Sequence, residues 1–246
     1  MCSSDLYSLS PIPLNSAYLL VSHGSRDPRP QIAVSQLAQQ LLNRQIIVAT
    51  AQLELADKPL HLQIVDFAQT CLGGGIDRIV ILPLFLIPGV HVMDDIPAEI
   101  AIAEREINGL KIIVAPFLGT CPNLTDLFGQ NRLDLPDRSI ILAHGSRRAG
   151  GNMIVEQLAA KLDLEPAYWS VTPSLTDRVS ELVATGATEI GILPYFLFSG
   201  GITDAIAEMI AKLREQFPPV KLILADPIGN SPELVTTIGQ ILTALD

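Results

Sequence analysis

The sequence predicts an α/β protein of two similar halves, each a small parallel sheet flanked by helices on both faces, with a cleft between them. Three observations predict it. First, three segments of the first half recur in the second: LLVSHGSRDPR (Leu19 to Arg29) as IILAHGSRRAG (Ile140 to Gly150), ILPLFLIPGVH (Ile81 to His91) as ILPYFLFSGGI (Ile192 to Ile202), and APFLGTCPNL (Ala115 to Leu124) as ADPIGNSPEL (Ala225 to Leu234). Such self-similarity marks a duplicated fold. Second, short apolar runs alternate with stretches of helical periodicity, the pattern of strands joined by crossover helices. Third, runs such as IVILPLFL are apolar throughout, as strands covered on both faces are.

Taken in order, residues 1–16 read as a loose tail rich in Ser and Pro. The first half, 17–134, is expected to hold strands at Ala17 to Ser22, Ile46 to Leu55, Arg78 to Leu86 and Lys111 to Ala115. Helices are expected over Gln31 to Leu42, over Leu60 to Cys71 before Gly73-Gly74-Gly75, after Asp95, and from about Pro122. Asp95 reads as an N-cap with Pro97 in the first turn, followed by an apolar face of Ile96, Ile100, Ala103 and Ile107. The break LDLPD, Leu133 to Asp137, opens the second half, 135–246. Its strands are expected at Arg138 to Ala143, Ala167 to Val171, Glu189 to Phe196 and Val220 to Ala225, and Ile206, Met209, Ile210, Leu213 and Phe217 repeat the helical face.

Composition narrows the function. Of 246 residues, 48% are hydrophobic and 17% charged, so the chain packs a core instead of remaining disordered. The net charge of −10 opposes nucleic acid and anionic membrane as partners, and any anionic ligand needs local cations. The longest apolar run, Ile79 to Val90, contains Pro83 and Pro88 and is too short to span a bilayer. No Lys or Arg precedes Arg26, which argues against a secretory or transit leader, and three cysteines without metal-type spacing suit a reducing compartment. A cytoplasmic protein is expected, and a monomer, since one chain supplies both walls of the cleft.

In parallel sheets ligands sit beyond the carboxyl ends of the strands. Of the four histidines, His23 follows strand one and His91 lies in the loop after strand three. Glu54 ends strand two on the same edge. A lone histidine there is usually satisfied locally and a lone acid is usually solvated. Two imidazoles and a carboxylate on one edge instead suit a borderline divalent metal with open coordination positions. Around His23, Gly24 permits a tight turn, Ser22 and Ser25 offer hydroxyls, and Arg26 and Arg29 suit carboxylates; the alternative is an ordinary βα turn with solvated arginines. His61, inside a helix, reads as a surface or packing residue. The second half repeats the turn as His144, Gly145, Ser146, Arg147 and Arg148, but Ser170 stands near the place of Glu54 and Ile202 near that of His91. It is expected to form the opposing wall, with Arg147 or Arg148 helping to hold the substrate.

These motifs — HGSR after strand one, Glu at the end of strand two, P-x-F-L-x-x-G-x-H followed by D-I-P — resemble the class II tetrapyrrole chelatases, and over nearly the whole chain the two-domain sirohydrochlorin chelatases of the SirB/CbiX type. The resemblance implies insertion of Co²⁺ or Fe²⁺ into sirohydrochlorin, in siroheme or cobalamin biosynthesis, with the metal as substrate and no permanently bound cofactor. It maps His23 and His91 onto metal-handling histidines and Glu54 onto the family's acid, as metal ligands and catalytic residues. Ser22, Gly24, Ser25, Arg26, His144, Ser146 and Arg147 are then the expected contacts of the polycarboxylate substrate. The departure is the second half, which lacks the second histidine. A non-catalytic carrier of tetrapyrrole or metal would use the same residues, whereas a duplicated binding protein for small anions would use the HGSR turns and keep its affinity without the metal-site histidines.

Overall fold

A computed structural model describes residues 16–244. The first half runs β1 (Ser16–Ser22), α1 (Pro28–Leu42), β2 (Val48–Gln52), α2 (Leu60–Gly73), β3 (Arg78–Pro83), a π-helical turn (His91–Asp95), α3 (Ile96–Glu106), β4 (Lys111–Val114), a 3₁₀ turn (Leu118–Thr120) and α4 (Asn123–Arg132). The second runs β5 (Ser139–Ala143), α5 (Met153–Leu162), β6 (Glu165–Tyr168), α6 (Leu175–Ala184), β7 (Glu189–Tyr195), α7 (Gly201–Gln216), β8 (Lys221–Leu224), a 3₁₀ turn (Ile228–Asn230) and α8 (Pro232–Ala244). All but one residue of the expected N-terminal tail lies outside the described residues.

The two sheets have the same order, β2-β1-β3-β4 and β6-β5-β7-β8, and every neighbouring pair is parallel. The repeats therefore occupy equivalent places. Along β1, Ala17, Leu19 and Val21 face α2 and α3, whose Ile64, Ala68, Ile96, Ile100 and Ala103 complete an outer core. Tyr18 and Leu20 face the other way, as strand alternation requires. They join Val34 and Leu41 of α1, Phe128 of α4 and Ile238 of α8 in a central core that also includes Ile141, Leu193 and Tyr195. A third cluster under α6 and α7 mirrors the first. Each half thus has its own outer core, while the inner faces share one. Helix α8 crosses back to α1, where Gly239 sits against Leu41 and Ile46 and Arg44 donates to Thr236 Oγ1 at 3.3 Å.

Strand β3 stops at Pro83, short of the expected Leu86, and residues 84–87 leave the sheet to form the cleft wall. β2 is likewise shorter than Ile46 to Leu55. The third repeat becomes clear in three dimensions. A Cβ at Gly119 would strike the Leu86 carbonyl, and one at Gly229 the Leu197 carbonyl, so these glycines let each 3₁₀ turn press against the wall segment.

Candidate metal and substrate cleft

The site follows from strand order. The chain leaves β1 towards β2 and β3 towards β4, so the loops after β1 and β3 part and open a crevice at this switch point. His23 comes from the first loop. There Gly24 has φ +93°, and a side chain on it would collide with the Glu54 carbonyl. The Glu54 amide in turn donates to the His23 carbonyl at 2.9 Å, so the tight turn ties both residues together.

His91 opens the π-helical turn that runs into α3, a geometry often found at functional positions. Asp95 corrects the expectation of an N-cap. Its backbone is already helical and its side chain caps nothing, because the chain enters α3 through the preceding turn. Its Oδ2 lies instead 2.8 Å from His91 Nδ1.

The two imidazoles meet edge to face, with His23 Nε2 3.1 Å from His91 Nε2. Their partners fix the tautomers. His23 Nδ1 stands 3.1 Å from the Gly24 carbonyl oxygen, which can only accept, so Nδ1 carries the proton. His91 Nδ1 donates to the Asp95 carboxylate by the same logic. With each Nδ1 turned to an acceptor, the two Nε2 atoms face each other at a spacing that a shared proton or a single metal ion can bridge. Phe85 backs both rings, with centroids 6.3 and 6.4 Å away.

Glu54 does not complete this pair directly. Its Oε1 is 4.0 Å from His91 Nδ1, on the edge of the ring turned away from His23. Among the described residues no group of three or more His, Cys, Asp or Glu side chains stands ready to hold an ion.

Beside His23 lies a largely apolar cavity of about 350 Å³ between the two halves. Ser22, His23, Gly24, Ser25 and His144 line it, as expected, together with residues 84–87 of one half and 195–198 of the other. Arg26, Ser146 and Arg147 are not on its wall. Ser146 organises its own loop: its hydroxyl accepts from the Arg148 amide at 3.2 Å, and its backbone pairs with the Asn152 side chain. Tyr195 donates its hydroxyl to the Leu86 carbonyl at 3.2 Å across the halves, and burial pushes its pKa above the usual range.

The structure also separates the arginines that the sequence left as equals. Arg29 chelates Asp27 and reaches across to Asp204 at the start of α7 (Nη1 to Oδ1 3.0 Å). Arg148 reaches the opposite way, 3.4 Å to Asp94 in the His91 turn. Arg26 and Arg147 make no hydrogen bond or ion pair with another described residue and are exposed. His61 is a packing residue, bonded at 2.8 Å to Glu99 between α2 and α3.

Hydrogen bonding confirms how the halves correspond. Glu54 N donates to the His23 carbonyl as Ser170 N does to the His144 carbonyl, so Ser170 occupies the Glu54 place. The sequence reading missed Asp95 as a partner of His91, although the H-x-x-x-D spacing carried the signal. It gave no hint of the Arg29–Asp204 and Arg148–Asp94 pairs.

A duplicated parallel α/β framework with an imidazole pair at the switch point of one copy defines a chelatase-like protein. SirB from Bacillus subtilis with Fe³⁺ shares the fold, with a TM-score of 0.79 at 20% identity over 93% of this chain and 94% of that one. The CbiX family model matches residues 17–134 and again 138–244, and the chain belongs to the CbiX family. It is 27% identical to the sirohydrochlorin cobaltochelatase of Priestia megaterium over 90% of this chain and 77% of the relative. The sirohydrochlorin cobaltochelatase of Methanosarcina acetivorans is 31% identical over 96 residues, 38% of this chain but 71% of the relative.

Proposed function

We propose that this chain is a sirohydrochlorin chelatase that inserts Co²⁺ or Fe²⁺ into the tetrapyrrole, with the metal site in the first half. The observation that carries the reading is the pair of facing Nε2 atoms 3.1 Å apart. Metal–imidazole bonds of about 2.1 Å let nitrogens at that spacing share one ion as a cis pair. The relatives' names supply the substrate class.

Two imidazoles alone make a weak site. They displace part of the ion's water and leave coordination positions for pyrrole nitrogens. Glu54, on the far edge of His91, completes the ligand set by swinging to the ion and otherwise balances its charge. The cavity offers the macrocycle an apolar slot between residues 84–87 and 195–198, with Ser22, Gly24 and Ser25 at its edge. Arg26 and Arg147, exposed and without a partner among the described residues, receive the peripheral carboxylates. The metal and the tetrapyrrole are substrates and no resident cofactor is required. A monomer suffices, because one chain builds both walls.

The test is Co²⁺ titration together with absorbance-monitored insertion. His23→Ala and His91→Ala should each lose most metal affinity and most turnover. Unimpaired binding and turnover in either variant would overturn the assignment. Multiple turnovers at substoichiometric protein exclude a carrier.

A further inference from the structure

We infer that His144, in the copy that has lost its other ligand positions, is the base that takes the pyrrole protons. This deepens the proposed function and rests on it. Inserting M²⁺ breaks two N–H bonds and forms two N–metal bonds. The bonding electron pairs stay on nitrogen, the metal stays divalent, and two protons must leave.

The cavity wall offers few acceptors. Of its residues only His23, His144 and Tyr195 are titratable. Tyr195 has its hydroxyl bonded to Leu86 and a pKa raised by burial, so it is no base at neutral pH. The His23 lone pair points at His91 and is committed to the metal. That leaves His144 on the opposite side of the same cavity.

His144 is also set in the right tautomer. Its Nδ1 lies 3.0 Å from the Gly145 carbonyl, which can only accept, so Nδ1 holds the proton and Nε2 carries the lone pair. Among the described residues Nε2 has no hydrogen-bond partner. No metal competes for it, because the place of His91 is taken by Ile202 and that of Glu54 by Ser170, whose hydroxyl also turns to the Gly145 carbonyl at 3.4 Å. The duplication has divided the work: one turn keeps its imidazole for the cation, and the other keeps it for protons. His144 Nε2 takes the first proton, releases it through its exposed edge to solvent, and takes the second.

The experiment uses the full chain, Co²⁺ and sirohydrochlorin, comparing wild type, His144→Ala and His144→Gln. Wild-type turnover is measured first, and its absence would defeat the proposed function itself. Given turnover, both variants should bind Co²⁺ and sirohydrochlorin within about twofold of wild type. Each should insert metal about 100-fold more slowly, the usual scale of a positioned base. Added imidazole should restore the rate of His144→Ala in proportion to its concentration. An unchanged rate overturns the inference, and so does a slow rate that tracks lost tetrapyrrole affinity or that imidazole cannot rescue.

Discussion

Asp95 Oδ2 lies 2.8 Å from Nδ1 of His91, one helical turn before it, and so turns Nε2 of that ring towards His23. Partners of this kind orient metal-binding imidazoles and raise their basicity. Asp95→Ala should therefore weaken Co²⁺ binding about 10- to 100-fold, as other losses of such partners do. Calorimetric titration measures it, and far-UV circular dichroism should remain that of the wild type.

Arg26 and Arg147 stand three residues beyond His23 and His144, exposed and without partners among the described residues. Replacing each by Met should raise the KM for sirohydrochlorin about tenfold while leaving kcat nearly unchanged, the signature of lost uniform binding. Co²⁺ affinity should not move. Steady-state kinetics at saturating metal decides the matter.

The Arg29 guanidinium holds the carboxyls of Asp27 and Asp204 below the usual aspartate value of 3.8. A depressed folded-state pKa contributes stability that is present above the unfolded value and lost as pH falls through the folded one. The advantage of wild type over Asp204→Asn should thus be full above pH 5 and shrink steadily below about pH 4. Urea midpoints across that interval report it. The pair is exposed, so high salt should also narrow the gap at neutral pH.

Tyr168 hides its hydroxyl from solvent near the Glu156 carboxylate. Burial first, and then the nearby Glu156 carboxylate, push its pKa up to about 12. The raised value means that the unfolded chain gives up this proton first. Stability should hold below pH 10 and fall as pH climbs from there towards 12. Tyr168→Phe should flatten that alkaline limb. Urea unfolding at pH 7 and at pH 10.5 to 11 tests it.

Much of the frame was legible because burial imposes periodicity. IVILP and SIILA read as strands since both faces of β3 and β5 are covered, and Ile96, Ile100 and Ala103 fell on one helical face because α3 lies on the outer core. Boundaries were less legible. Residues 84–87 are as apolar as the strand before them, yet they line the cavity instead of extending the sheet. Asp95 was misread for a similar reason. D-I-P carries the composition of a helix start, and only the π-helical turn upstream frees its carboxylate for His91.

By itself, the sequence determined the duplication, the strand-end placement of His23, His91 and His144, and the replacement of the acid and the second histidine by Ser170 and Ile202. These are local matters of residue type, spacing and comparison between the copies. Only the tertiary structure decided that His23 and His91 touch while Glu54 stands behind the ring, that Arg29 and Arg148 tie the halves while Arg26 and Arg147 are exposed, and that His144 shares a cavity with His23. Those facts depend on side-chain direction and on how two sheets face each other. Both are fixed by packing between residues roughly a hundred positions apart, which no local pattern records.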